Sequence, residues 1–281
     1  MSIRMIQDRL DLYHCSSVLE EEHAIREITQ EAALAAMGRT GFFEQGVFQG
    51  GTCLRILYGL NRFSEDLDFI LKEPDPGFDL GPHLHSLSRE LLAFGYKVDV
   101  TDRSRADIAV RKAFIKDDSI GKVLHLNHAG KTGPFRKIRI KLEVDTNPPV
   151  GSSTEIKYLD FPFICSITVQ DKPSLFAGKI HALLCRSYVK GRDWYDFLWY
   201  TSRKTPINFV FLAAALNQQG PWKGQDMAVD LTWCKESLGN AISSIDWHKT
   251  ADDVRRFVRF SELPSLDLWS AELFLSQLEK L

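Results

Sequence analysis

The chain has 281 residues, 44% hydrophobic and 26% charged, and its 35 Lys and Arg against 37 Asp and Glu leave a formal net charge of −2. This composition suits one large or two modest globular domains and excludes collagen, a long coiled coil, bulk disorder and a coat of basic residues for non-specific nucleic-acid binding. No apolar run reaches the ~20 residues needed to span a bilayer. The opening MSIRMIQDRLDLYH interrupts its apolar residues with charges too early for a secretory signal, so a cytoplasmic location is expected. The five cysteines (15, 53, 165, 185 and 234) form no CxxC and are expected as buried free thiols. The close histidine pairs, His83/His85 and His125/His128, lie in turn-like contexts that do not argue for metal ligation.

In chain order, residues 18–38 read as a helix, with Ser17 as N-cap, an acidic first turn and Gly38 and Gly41 at its end. Val47-Phe48-Gln49 reads as a short strand running into Gly50-Gly51, and 52–58 as a helix beginning after the glycines. Residues 66–71 alternate as a strand, placing Asp66, Asp68 and Ile70 on one face and Leu67, Phe69 and Leu71 on the other. A loop from Pro74 to Pro82 and a helix over 83–94 follow. The stretches 97–101, 107–116, 122–127 and 136–145 then read as β-structure up to Pro148-Pro149-Val150-Gly151. A long helical pattern starts at 172 with Pro173 in its first turn and is interrupted near Gly191; further helices are expected around 207–217, 226–240, 249–261 and 266–280. The predicted architecture is α+β: an N-terminal domain over 1–165 with a small mixed sheet, then a helical domain over 166–281.

The chemistry-bearing residues concentrate in the first of these. Gly50-Gly51-Thr52, at a strand-to-helix turn, would let a phosphate approach the backbone and meet free N–H groups at a helix start, although GG turns are also common punctuation. Fourteen residues beyond Thr52, Asp66 and Asp68 share a strand face with Cα atoms roughly 6.6 Å apart. Like charges so placed invite a cation with hard oxygen ligands, Mg²⁺ or Mn²⁺. In 138–145, Ile138, Ile140, Leu142 and Val144 form one face and Arg139, Lys141, Glu143 and Asp145 the other. That charged face either meets water or supplies the third carboxylate of a two-metal site, whose ions lie ~3.5–4 Å apart.

Gly50-Gly51-Thr52 with Leu54 and Arg55, followed by Arg62-Phe63-Ser64-Glu65-Asp66-Leu67-Asp68-Phe69, resembles the polymerase-β-type nucleotidyltransferase signature, and more narrowly that of the AbiEii/AbiGii toxin family. Lys179-Ile180-His181-Ala182-Leu183-Leu184-Cys185-Arg186 is similar to the family's KLxALxxR motif, and Arg192-Asp193-Trp194-Tyr195-Asp196 to its RDxxD motif. The motifs occur in family order between 48 and 196, and the last 80 or so residues match none.

The resemblance implies a nucleotidyltransferase fold and a metal-dependent toxin of a toxin–antitoxin or abortive-infection pair. Such an enzyme moves NMP from an NTP, GTP or CTP being plausible donors, to RNA, with tRNA the expected acceptor and a separately encoded antitoxin the expected partner. It implies Gly50, Gly51, Thr52, Arg62, Ser64, Lys179 and Arg186 at the nucleotide. Asp66, Asp68 and Glu143 are then metal ligands, with Asp145 as the fallback for Glu143, and Asp193 orients Lys179. Lys179 and Arg186, seven apart, fall on one helical face ~10.5 Å along the axis, and Arg192 and Asp196 form an i,i+4 pair. Two departures stand out: Gln49 where many family members carry Lys, and Glu rather than Asp at 143.

For the acceptor, segment 97–141 carries twelve Lys and Arg (97, 103, 105, 111, 112, 116, 122, 131, 136, 137, 139 and 141) against five Asp. It reads either as a patch for an RNA backbone or as Lys-rich strand edges that discourage aggregation. Trp194, Tyr195, Trp199 and Tyr200 read as helix-core packing before base stacking. Two other functions fit the same sequence: a nucleotidyltransferase acting on a small antibiotic-like molecule or a protein, and a non-catalytic nucleotide-binding protein. Neutralising Arg111, Lys112 and Lys116 should hardly alter modification of a small acceptor, whereas growth inhibition that survives Asp68→Ala would point to the non-catalytic class.

Overall fold

The computed structural model describes residues 2–104, 109–117, 119–128 and 137–281, which divide into two compact units. The first comprises 1–59, 63–148 and 156–169. It opens with α1 (Ser2–Asp11), whose buried Ile6 and Leu10 form an apolar stripe that Arg4, Asp8 and Arg9 disguise in the sequence. The helix α2 (Val18–Arg39) starts where expected, with the Ser17 side chain accepting the Glu20 N–H. It is buried on nearly every side, from Glu20 to Met37, as suits a helix at the centre of a unit rather than on its surface. Its buried carboxylates have partners: Glu31 pairs with Arg9, and Glu27 accepts from Arg55 Nε at 2.8 Å and from the Tyr13 hydroxyl at 3.0 Å.

The sheet follows. β1 (Gly46–Gln49) runs directly into α3 (Gly50–Tyr58), so the glycines form the helix's first turn rather than preceding it. Then come β2 (Leu67–Leu71), α4 (Gly81–Ala93), β3 (Val98–Asp102), β4 (Val110–Asp117), the short α5 (Ile120–Val123), β5 (Ile138–Asp145), β6 (Thr154–Leu159) and β7 (Cys165–Gln170). Seven strands lie in the order β3-β4-β5-β2-β1-β7-β6. β1 pairs antiparallel with β2, β2 parallel with β5, β5 antiparallel with β4, and Phe48 of β1 lies parallel to Val169 of β7. The sheet is therefore mixed, and it contains two strands that the sequence reading lacks, β6 and β7, which extend it beyond residue 151. The expected strand over 122–127 is absent. Side chains satisfy that segment's backbone instead: Gln7 Oε1 accepts the His125 N–H at 2.8 Å and Glu21 Oε1 the Asn127 N–H at 2.7 Å. The starts of the expected strands at 107–108 and 136 lie outside the described residues.

An aromatic core fixes this sheet. Phe42, Phe48 and Phe69 are all but inaccessible, and Phe69 meets Phe42 edge-on at 5.0 Å and Phe48 at 5.3 Å between ring centroids.

The second unit comprises 60–62, 149–155 and 170–281. Its helices are α6 (Lys172–Cys185), α7 (Gly191–Ser202), α8 (Phe209–Gln218), α9 (Leu231–Ser243), α10 (Trp247–Arg255), α11 (Leu263–Leu266) and α12 (Ala271–Leu278). The single long helical pattern of the sequence is thus two helices separated by 186–190. α7 packs against α6, α10 and α12 around Trp194, Phe197, Trp247 and Phe274, with Trp247 and Phe274 stacked 3.8 Å apart. Asn208 joins loop to helix: its amide caps α8 at Phe211 and donates to Gly151 O at 2.8 Å.

Phe69→Ala should cost the first unit ~3–5 kcal/mol through lost burial and the cavity left behind. Chemical denaturation measures this, and a loss under about 1 kcal/mol would show that the aromatic cluster does not hold the sheet together.

Candidate active site

Four strands contribute one residue each to a row across the first unit's sheet. The register sets Gln49 of β1 against Asp68 of β2, Asp68 against Glu143 of β5, and Glu143 against Lys112 of β4. Asp66 stands just before β2, which starts one residue later than the sequence suggests. Asp145 lies one pair further along, opposite Ile70, so Glu143 and not Asp145 is Asp68's neighbour. Burial raises the Asp145 carboxyl above its ordinary range, against the pull of the Asn147 N–H it accepts. Both oxygens of Glu143 meet ammonium groups: Oε2 lies 2.5 Å from Lys141 Nζ and Oε1 3.4 Å from Lys112 Nζ.

The turn beside this row is shaped by glycine. Gly50 has φ +79°, and a Cβ there would sit 2.7 Å from Asp68 Oδ2. Glycine is therefore required twice, for the left-handed backbone and for room at the carboxylate. The N-cap residue of α3, Gln49, makes no capping hydrogen bond with its side chain. Thr52 is buried and its hydroxyl donates to the Asp66 carbonyl, which ties α3 to the chain entering β2. Ser64 is half-buried and its carbonyl accepts from Gln30 Nε2 at 3.3 Å.

The carboxylate oxygens of Asp66, Asp68 and Glu143 are hard donors of the kind Mg²⁺ and Mn²⁺ take, and the absent Gly50 Cβ leaves space at Asp68. Among the described residues, however, no three Asp, Glu, His or Cys side chains are gathered tightly enough to form a ready-made cation site.

The second unit carries a buried ionic network. Asp196 is fully inaccessible and is gripped by Arg62 through two hydrogen bonds, at 2.7 and 2.6 Å. The same carboxylate lies 2.8 Å from Lys179 Nζ. Lys179 also donates to Asp193 Oδ1 at 2.7 Å, and Arg186 Nε lies 3.1 Å from Asp193 Oδ2. Burial works against charge on Lys179, but Asp193 and Asp196 more than offset it and raise its pKa. Burial likewise opposes ionisation of Asp193, yet Lys179 and Arg186 hold it down at about 2.

This network changes three expectations. Arg62, expected at the nucleotide, is a buried counter-ion of Asp196. The Asp196 carboxylate, expected to pair with Arg192 on the same helix, is bound by Arg62 and Lys179, and the Arg192 guanidinium lies 4.0 Å over the Phe257 ring. Arg186 stands just past the end of α6, so Asp193, not helical spacing, brings it to Lys179. Asp193 does contact Lys179 as expected. The link of Asp196 to Arg62 escaped the sequence reading, since the two residues are 134 positions apart.

The basic segment is partly spent on structure. Arg111 is buried and clamps the 76–78 turn through the Phe78 and Pro76 carbonyls, so it does not belong to a surface patch. Lys112, Lys116, Arg139 and Lys141 lie on the same sheet face as Glu143, in two adjacent strands. Arg105, Lys131 and Arg136 lie outside the described residues. All five cysteines are free thiols, but only Cys53 and Cys234 are buried; the other three are half-exposed. Trp194, Trp199 and Tyr200 are core residues as expected, with Tyr195 half-buried. No described helix is long and apolar enough to cross a membrane.

Comparison with known proteins yields a family match over residues 32–270, the family described as "Nucleotidyl transferase AbiEii toxin, Type IV TA system". No curated protein matches the sequence. Among solved structures, JHP933 from Helicobacter pylori is similar over 92% of this chain and 94% of its own, at 18% identity and a TM-score of 0.49. A Helicobacter pylori protein assigned as a nucleotidyltransferase is similar over 89% of this chain and 93% of its own, at 18% identity and a TM-score of 0.47.

Asp196→Ala leaves Arg62 and Lys179 without their buried counter-charge and should destabilise the protein by ~3–5 kcal/mol in denaturant titrations; a change below about 1 kcal/mol would mean the network carries no structural load. Asp193 adds a pH signature. Its native pKa of about 2 lies below the ordinary 3.8, so its stabilisation is complete above 3.8 and is lost as pH falls through about 2. Acid titration of thermal stability should therefore fall less steeply in Asp193→Asn than in the wild type over that window.

Proposed function

The chain belongs to the AbiEii family of nucleotidyltransferase toxins, and on that premise we propose that it transfers NMP from an NTP to an RNA acceptor, tRNA above all, with a divalent cation held at Asp66 and Asp68. The observation that carries the reading is the row in which Glu143 neighbours Asp68 while Gly50 keeps the space beside the Asp68 carboxylate clear. The family's description as the toxin of a type IV toxin–antitoxin system supports a separately encoded antitoxin as partner, and a cytoplasmic place of action is part of the same proposal.

In the proposed reaction the acceptor hydroxyl oxygen bonds to the α-phosphorus and the bond to the bridging oxygen breaks. Pyrophosphate departs, and the hydroxyl proton passes to a carboxylate of the acidic row. A bound Mg²⁺ or Mn²⁺ supplies charge neutralisation at the reacting phosphoryl group and acidifies the attacking hydroxyl. Gly50, Gly51 and Thr52 offer backbone N–H groups at the start of α3, where the helix dipole favours phosphate. Lys179 and Arg186, paired with Asp193 within the second unit, are proposed as phosphate-binding cations. Asp193 and Asp196 hold the Lys179 ammonium in one place and keep it charged, so little reorganisation is needed when phosphate arrives. Lys116 and Arg139, cross-strand partners on the same sheet face as Glu143, supply the positive surface proposed for an RNA backbone.

Purified protein incubated with Mg²⁺, each labelled NTP in turn and total tRNA should place label on RNA with one NTP, and Asp66→Ala/Asp68→Ala should abolish it. Lys116→Ala/Arg139→Ala should raise the KM for tRNA several-fold and flatten its salt dependence. Label that appears only on a small molecule or a protein would overturn the RNA acceptor, and activity that survives the double aspartate change would overturn the assigned site.

A further inference from the structure

Two ammonium groups occupy the carboxylate that a two-cation site would need. Glu143 presents Oε2 to Lys141 and Oε1 to Lys112, at 2.5 and 3.4 Å. Neither pairing depends on a chance rotamer alone. Lys112 is the direct cross-strand partner of Glu143, and Lys141 precedes it by two residues on the same strand face. The row thus carries two positive charges on the β5 and β4 side, and Asp68 faces the Cβ-free turn at Gly50 on the other. A dication lodged between Asp68 and Glu143 would have to displace both ammonium groups or sit against them, and like charges at such range repel strongly. The gathering of three carboxylates that such an ion needs is also missing among the described residues.

Resting on the proposed metal-dependent transfer, we propose that this chain binds a single divalent cation, at Asp66 and Asp68, and that the Lys112–Lys141 pair, anchored by Glu143, takes the place of a second. Glu143 is then a positioning residue that holds two ammonium groups at the edge of the site, not a metal ligand. The two lysines supply permanent positive charge where a second ion would otherwise neutralise phosphate. Their side chains remain 43% and 33% exposed, so a phosphate oxygen can reach them from solvent.

The test is titration of the purified full chain with Mn²⁺ alone, following free Mn²⁺ by electron paramagnetic resonance, which reads binding independently of turnover. The wild type should bind one Mn²⁺ per chain, and Asp66→Asn/Asp68→Asn should remove it. Glu143→Gln should change the Mn²⁺ Kd by less than about threefold, whereas Lys112→Met/Lys141→Met should admit a second Mn²⁺ or tighten binding at least tenfold. All five positions are partly exposed, four of them in the sheet and Asp66 just before it, and circular dichroism checks that each variant is folded. Two Mn²⁺ per wild-type chain, a tenfold weaker Kd in Glu143→Gln, or a lysine double variant indistinguishable from wild type would each overturn the single-cation inference while leaving metal-dependent transfer standing. Absence of any Mn²⁺ bound through Asp66 and Asp68 would overturn the metal reading itself, and this inference with it.

Discussion

The parallel pairing of β2 with β5 governs what the first unit can do. Four consecutive pairs, Leu67 with Leu142 through Ile70 with Asp145, lock apolar residues to apolar on the buried face and set Asp68 beside Glu143 on the other. Because side chains alternate with a period of two, a slip of one residue would drive Asp68 into the aromatic core and expose Phe69. Burial of Leu67, Phe69, Leu142 and Val144 therefore fixes the position of the carboxylates. Chemical geometry here is a by-product of hydrophobic registration, which makes it rigid without any dedicated support.

The second unit solves a different problem by a different means. Lys179, Arg62 and Asp196 lie in surroundings where a single unpaired charge would be costly, and each is retained by its opposites. Three cations share two carboxylates there, so the cluster keeps one positive charge in excess. A buried lysine held charged in this way is available to an anion, whereas a buried lysine without carboxylates would shed its proton.

Much of this was legible in the sequence where the signal is local. The alternation in DLDFIL, the capping serine ahead of VLEEE and the proline in the first turn of α6 are short-range patterns, and each has its structural counterpart. What escaped is non-local or locally ambiguous. β6 exposes Ile156 and Tyr158, so its apolar residues do not mark a core face, while β7 does alternate, with Ile167 and Val169 buried, but is a short segment set between prolines. The stretch 122–127 has strand composition, yet Gln7 and Glu21, more than a hundred positions away, take over its backbone N–H groups. The acidic face of β5 could be read as facing water or lining a site, and only the pairing with β2 distinguishes Glu143 from Asp145. The partner of Arg62 was beyond reach for the same reason: spacing reveals neighbours on one helix, not a carboxylate 134 residues on.

The burial of α2 on nearly every side has a further consequence for how the chain is made. During synthesis this helix leaves the ribosome long before the strands and segments that enclose it. Glu21 must wait for residues 127 and 128, and β1 cannot gain its parallel neighbour until Val169 has emerged. For that interval the apolar C-terminal half of the helix, Ala32 to Met37, and an unpaired strand edge travel together without cover, a combination prone to association with other chains. The first unit is thus an assembly whose centre is built first and sealed last, and its yield in a cell depends on how quickly translation delivers the closing strand.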